Sequence, residues 1–311
     1  MTKIIIGIHG LGNKPPQKIL RAWWKASIYE GFKRIKRPKL FFNFELVYWA
    51  DYLHPAPLKR GIKDKEDPLY LEDPYFPAPQ NAEEKKPGEL RQKILDYASE
   101  QLQHIFLNED FTINYESIAD FIIHNFFREL DIYYRNYCVK QTQQDCRAKE
   151  VICSDLANVL KLHRRKKIML IAHSMGSIIA YDVLTQYVRD VPIDTFVTIG
   201  SPLGMPITKS KIAADHKNDP SGGKDLKTPE NVFSHWYNLS DLRDKIAVNY
   251  KLEDDFRENA GHVGPEDMMV INNYEYGGEK NPHKSYGYLR TPELAGIVAA
   301  FLEEGSSPDS L

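Results

Sequence analysis

Ser174, in the run Ala172-His173-Ser174-Met175-Gly176, has the residue type and surroundings of a nucleophile. A serine hydroxyl attacks a carbonyl only if a neighbouring base takes its proton. The base must later return that proton to the leaving group. A carboxylate is needed to hold the imidazole in one tautomer and to stabilise the cation it becomes. Downstream, the chain offers Asp241 and Asp244 in N-L-S-D-L-R-D-K-I-A, His262 in A-G-H-V-G-P, and His283 in N-P-H-K-S-Y-G-Y-L. The tetrahedral oxyanion of such a reaction needs fixed backbone N–H donors. Met175, just after the serine, and Leu11, in the turn His9-Gly10-Leu11-Gly12, are the candidates. The chemistry that this set describes is acyl transfer through a covalent intermediate.

These residues need a scaffold that presents them together. Ile168 to Ala172 is a short apolar run, and Ile178, Ile179, Val183 and Leu184 follow Ser174 at helical spacing. Strand, sharp turn and helix place the serine at the tip of a strained elbow, where the positions two before and two after must be small. They are Ala172 and Gly176. Lys3–Ile8 reads as a buried β-branched strand. A helix over Gln17–Lys36 and a strand over Leu40–Trp49 then complete a right-handed crossover unit. Later elements are a helix at Asp145–His163, strands at Asp194–Ile199, Val232–Leu239 and Met268–Asn272, and a final helix at Pro292–Glu303. Lys209–Glu230 reads as a polar loop. Alternating strands and helices imply a mostly parallel sheet with helices on both faces. In such sheets the reacting groups gather at the carboxyl ends of the strands. His283 follows the Met268 strand whereas His262 precedes it, which favours His283 as the base; Asp241 and Asp244 stay level on position.

Residues 51–144 break the alternation. Prolines 55, 57, 68, 74, 77, 79 and 87 exclude a regular element before Gly88. Two helical patterns follow, at Glu89–Leu107 and Tyr115–Cys138, the second with an aromatic stripe that reads as core. The expected organisation is a core of residues 1–50 and 145–304, an insertion or cap at 51–144, and a flexible tail at 305–311.

At 311 residues the chain buries a core without disulfides or metal. A formal net charge of −2 gives no global attraction to nucleic acid or to an anionic membrane. Three cysteines, Cys138, Cys146 and Cys153, form neither a disulfide framework nor a zinc motif. The N-terminus lacks the features of a signal peptide, and no run is long enough to span a bilayer. A cytoplasmic setting is the expectation, with peripheral lipid contact left open. The Gly7–Lys14 stretch does not fit a phosphate-binding loop, since its spacing differs from G-x-x-x-x-G-K-[ST] and Pro15 stands where a Ser or Thr is required. Asp215, His216 and Asp219 read as a solvated loop and not as a cation site. No cofactor and no metal are expected.

The A-H-S-M-G elbow, the I-H-G-L-G turn and the V-T-I-G-S-P-L-G stretch (Val197–Gly204) together resemble α/β-hydrolases of the esterase and lipase type, small bacterial lipases in particular. The resemblance covers residues 1–50 and 145–304 and implies a carboxylic ester hydrolase acting on a small-molecule ester or acyl substrate. It implies catalytic roles for Ser174, His283 and an aspartate, with oxyanion donors at Leu11 and Met175. Asp244, which precedes Lys245-Ile246-Ala247, matches the family's pattern for the acid better than Asp241. His173 and His9 are implied to be structural. Two sheet-starting strands of larger members are missing, and the insertion does not sit at the commoner cap position. A thioesterase or acyl transferase using the same triad is the enzymatic alternative; a catalytically silent hydrolase-fold binding protein is the alternative of another class.

Overall fold

The computed structural model describes residues 2–78, 128, 130–134, 147–216, 226–247 and 249–304. The helical patterns read at 89–107 and over most of 115–138, Cys138 and Cys146, Asp219, and the tail at 305–311 lie outside the described residues.

Six strands form one parallel sheet: β1 (Lys3–Ile8), β2 (Phe44–Val47), β3 (Lys167–His173), β4 (Ile193–Ile199), β5 (Val232–Ser240) and β6 (Pro265–Met269), in the spatial order β2-β1-β3-β4-β5-β6. β3 lies between β1 and β4: Ile8 pairs with Ala172 on one side, and His173 with Ile199 on the other. The ends of β1, β3 and β4 are thereby level, and their following turns meet at one edge. β3 and β4 are buried throughout except for Lys167 at the entry, as expected where helices cover both faces.

One face carries α1 (Gln17–Arg34), the short α6 (Ser285–Leu289) and α7 (Pro292–Glu303), packed over Ile5, Met169, Ile171, Val197 and Leu239. The other carries α3 (Ala148–Leu162) and α4 (Met175–Asp182), packed over Ile4, Ile6, Ile8, Ile168 and Leu170. α4 continues into a turn of π-helix, Val183–Tyr187. Thr291 caps α7, its hydroxyl accepting from the Leu294 N–H, with Pro292 at the first helical position.

Several boundaries depart from the sequence reading. The second strand is only Phe44–Val47, and Phe41, expected inside it, is 76% exposed. Ala50–Leu53 forms a one-turn helix, α2, in the stretch read as free of regular structure; residues 54–78 otherwise hold only isolated bridges and turns. The stretch read as a loop from Lys209 instead contains α5 (Pro206–His216), whose polar residues hide a narrow buried side of Thr208 and Ile212. The last strand begins at Pro265, three residues before the expected start, and ends at Met269. A two-stranded hairpin, β7 (Glu275–Tyr276) with β8 (Glu279–Lys280), turns at Gly277 and Gly278 and leads to His283.

Candidate active site

Ser174 sits between β3 and α4 with φ 53° and ψ −129°, a conformation that costs a non-glycine residue about 1–3 kcal/mol. Its N–H donates to the Ile199 carbonyl at 3.1 Å, so the end of β4 holds the turn in place. The close packing explains the small residues around it. A Cβ at Gly176 would lie 2.7 Å from the His9 carbonyl oxygen, and one at Gly10 would lie 2.6 Å from the Ser174 Cβ. Ala172 fits because it belongs to the strand, opposite Ile8, and its methyl is fully buried.

The structure brings Ser174, His283 and Asp244 together. His283 Nε2 lies 2.9 Å from Ser174 Oγ, and His283 Nδ1 lies 2.9 Å from each carboxylate oxygen of Asp244. With Nδ1–H donating to the carboxylate, Nε2 is left to accept from the serine hydroxyl. The Asp244 side chain is fully buried. A buried carboxylate has to be hydrogen-bonded, and this one also accepts from Ile246 N–H at 2.9 Å and from the Tyr288 hydroxyl at 2.7 Å.

Asp241 is placed otherwise. Its carboxylate accepts from the N–H and Nε of Arg243 at 2.8 and 2.9 Å, and from the Asn272 N–H at 2.7 Å. It therefore ties the turn after β5 to the segment after β6, and no contact joins it to His283 among the described residues. Tyr288 separates the two acids: its oxygen accepts the Asp241 N–H at 3.0 Å while its proton goes to Asp244. Burial, then the charge of Asp244, pushes this phenol well above its ordinary range, so it stays a donor. His262 is 90% exposed, pairs with Glu258, and takes no part in the cluster.

Two further groups fix His283. Asn281 Oδ1 accepts the His283 N–H at 3.1 Å, and Asn281 Nδ2 donates to Asp73 at 2.8 Å. His173 Nε2–H donates to the His283 carbonyl at 2.7 Å. Burial, then the neighbouring His283, holds His173 well below the usual imidazole range, so it is neutral. Neither Asn281 nor Asp73 could be singled out from the sequence, because they lie in separate irregular segments joined only by folding. Gly200, at φ 54°, is a third such residue: a Cβ there would stand 2.9 Å from Asp244 Oδ2 and 3.3 Å from His283 Nδ1.

His9 shapes the turn that carries Leu11. The Trp49 N–H donates to His9 Nε2 at 3.1 Å, leaving Nδ1–H to donate to the Gly10 carbonyl at 2.7 Å. That carbonyl belongs to the peptide unit whose other end is the Leu11 N–H. A planar trans peptide points the two groups in opposite directions, so His9 fixes the aim of that N–H. Burial, then Lys14, holds His9 well below its ordinary range, which keeps it neutral in this role. Lys14 Nζ donates to the Leu11 and Gly12 carbonyls of the same turn. Neither the Leu11 nor the Met175 N–H has an acceptor among the described residues.

Ser174 and His283 open into a cavity of about 140 Å³ walled by Leu11, Leu20, Trp24, Leu58, Leu71 and Ile246, with Lys14, Asp73 and Lys284 among its polar members. Among the described residues, no group of three or more His, Cys, Asp or Glu side chains is placed to hold a metal ion, and no helix is long and apolar enough to cross a membrane. Asp215, on α5, pairs with Lys149.

Residues 152–220, which run from within α3 through the elbow and β4 to α5, match the model of the lecithin:cholesterol acyltransferase family. No curated protein matches the chain. The matched family is one of α/β-hydrolase-type lipid acyltransferases, and the six-stranded parallel sheet with helices on both faces agrees with that fold. Fold and match together support an enzyme of the acyltransferase and esterase type on an α/β-hydrolase scaffold.

Proposed function

We propose that this chain is a serine hydrolase that cleaves carboxylic esters through an acyl-enzyme on Ser174. His283 removes the hydroxyl proton as Ser174 Oγ attacks the ester carbonyl, and passes it to the departing alkoxide. Asp244 stabilises the imidazolium formed between those steps. The N–H groups of Leu11 and Met175 stabilise the tetrahedral oxyanion. Water, activated by the same histidine, then releases the acid. Leu58, Leu71 and Asp73, from the described part of the stretch after β2, wall one side of the site in this scheme.

The observation that carries the proposal is the continuous hydrogen-bonded line from Ser174 Oγ through both nitrogens of His283 to a fully buried Asp244. Such a line activates a serine, and a serine held at a strained φ is otherwise hard to account for. The test is labelling with a fluorophosphonate probe followed by peptide mapping. Adduct is expected on Ser174, with little in His283→Ala and none in Ser174→Ala. Labelling elsewhere, or labelling of Ser174 that ignores the loss of His283, would remove these roles.

The match to an acyltransferase family over residues 152–220 favours one second reading, in which a lipid-type donor acylates Ser174 and an alcohol takes the acyl group in place of water. The triad chemistry is the same up to the acyl-enzyme, and a thioester donor would enter it equally well. Product analysis with an added alcohol separates the two: a new ester identifies transfer, and free acid alone identifies hydrolysis.

A further inference from the structure

Of the two proposed oxyanion donors, Met175 begins α4, whereas Leu11 stands in an irregular turn. A donor stabilises an oxyanion best when its direction is fixed before the reaction starts. In a turn, that requires the peptide units on both sides of the residue to be held. The Gly10–Leu11 unit is held by His9, whose Nδ1–H donates to the Gly10 carbonyl at 2.7 Å. The Leu11–Gly12 unit is held by a different group. Lys14 Nζ donates to the Leu11 carbonyl and, at 2.9 Å, to the Gly12 carbonyl.

The second unit needs this tie more than the first. Gly12 has φ 83°, and glycine takes positive and negative φ about equally, so the Leu11–Gly12 peptide rotates readily unless something holds it. Bonds from an ammonium are stronger than neutral ones, and here one ammonium gathers two successive carbonyls. The surrounding main chain is anchored separately: the Leu58 N–H donates to the Lys14 carbonyl at 2.9 Å, and Asn13 Nδ2 donates to the Ala56 carbonyl at 2.9 Å. Those two bonds use no atom of the Lys14 side chain, so its loss frees the peptide without displacing the segment. Lys14 also supports the first unit. After burial, its charge does most to hold His9 below the imidazole range. Only neutral His9 can donate through Nδ1 to Gly10 while Nε2 accepts the Trp49 N–H. The turn held in this way lies against the nucleophile, and Lys14 and Ser174 line the same cavity.

We propose that Lys14 is a positioning residue for the oxyanion site, its ammonium fixing the aim of the Leu11 N–H through the Leu11 and Gly12 carbonyls. The proposal rests on the esterase reading and adds a residue to it. As Ser174 Oγ bonds to the ester carbon, its proton passes to His283 and the C=O π pair becomes the oxyanion that the Leu11 N–H receives. Lys14 acts in this step only through the backbone. Its loss therefore slows formation of the tetrahedral species and leaves the preceding binding of the ester unchanged.

The test follows the rate at which an alkyl fluorophosphonate labels Ser174 in the full-length protein, since the phosphonyl oxygen enters the same oxyanion site. Lys14→Met keeps the length of the side chain and removes its charge and its donors. The maximal labelling rate should fall about 10- to 100-fold, with the probe concentration for half-maximal rate unchanged. Lys14→Arg, whose guanidinium again offers several donors and a charge, should restore most of that rate. Lys14→Gln, a neutral donor of shorter reach, should fall between the two and takes the place of the Met variant if urea unfolding shows that variant not to fold. Three results would overturn the proposal and leave the esterase reading standing: a Met or Gln variant within about two-fold of wild type, a defect confined to the half-maximal concentration, or an Arg variant as slow as the Met or Gln variant. Wild-type protein in which Ser174 is not labelled would overturn both.

Discussion

His173 Nε2 stands 2.7 Å from the carbonyl oxygen of His283, so the residue beside the nucleophile holds the backbone of the residue proposed as its base. The two rings also pack, with centroids 4.9 Å apart. Any displacement of β3 is thereby passed to both partners of the Ser174–His283 bond, which keeps their separation constant. Phe in place of His173 would keep the packing and lose the bond. Because small misplacements of a reacting group cost up to about 100-fold in rate, His173→Phe should lower kcat by about 10- to 100-fold with KM nearly unchanged. His173→Gln, whose amide N–H can reach the same carbonyl, should recover much of it. Steady-state kinetics on the two variants decides the point, and an inactive Gln variant beside an active Phe variant would discard it.

The two aspartates after β5 should separate by what their loss affects. Asp244→Asn leaves the shape of the site but removes the charge facing the His283 imidazolium, and kcat should fall by about 10⁴-fold. Asp241→Asn weakens its bonds to Arg243 and Asn272 instead. Its effect should appear as about 1–3 kcal/mol of lost stability, with activity at low temperature largely retained. Parallel urea unfolding and kinetics give both quantities, and the opposite ranking would transfer the role to Asp241.

Much of this site was legible in the sequence because its signals are local. The apolar run, the small residues flanking Ser174 and the helical period after it lie within about twenty residues, and each reflects a steric demand of one turn. The order Ser, Asp, His could be read for a similar reason: each residue follows a strand, and strands announce themselves by apolar runs. The choice between Asp241 and Asp244 was not legible on spacing, since both occupy one turn. In the structure Asp244, and not Asp241, faces His283, with Tyr288 and Gly200 closing around it from α6 and from the end of β4. Elsewhere, polar side chains disguised regular structure. Glu266 and Asp267 made the start of β6 look like a loop, yet β6 is an edge strand, and Asp267 is satisfied by Asn238 Nδ2 at 2.7 Å. In α5 only a narrow side is buried, too little to impose a visible period.

The two neutral histidines give stability a definite dependence on pH. His9 and His173 are held well below the ordinary imidazole pKa in the folded chain, chiefly by burial, and return to about 6.5 on unfolding. The unfolded state therefore binds more protons as pH falls through 6.5. Their contribution to stability is fully present above that pH and is lost below it, by up to about 1.4 kcal/mol per pH unit for each histidine. Asp182, Asp255 and Asp267, whose carboxyls are raised by burial, act in the opposite sense toward lower pH. Comparing urea midpoints of wild type and His173→Gln between neutral and mildly acidic pH isolates one histidine. The variant should show the shallower slope, and identical slopes would mean that His173 is protonated in the folded protein.

Gly200 offers the most specific test of how the acid and base are housed. Its φ of 54° disfavours any residue with a Cβ, and an added methyl would meet Asp244 Oδ2 at 2.9 Å, Tyr288 Cε2 at 3.0 Å and His283 Nδ1 at 3.3 Å. The methyl has no open space to enter, so Tyr288 or the Asp244–His283 pair must move by several tenths of an ångström. Gly200→Ala should cost about 1–3 kcal/mol through backbone strain. It should also lower kcat by at least about ten-fold, because the carboxylate can no longer face both the imidazole and the phenol. Gly277→Ala is the matched control: it too has positive φ, 61°, but nothing lies within 4 Å of the added methyl. That variant should show the strain in its unfolding curve and leave kcat unchanged. If both variants lose stability alone, the space around Asp244 is more forgiving than the packing implies, and Tyr288 in place of Gly200 becomes the residue on which the geometry of the acid depends.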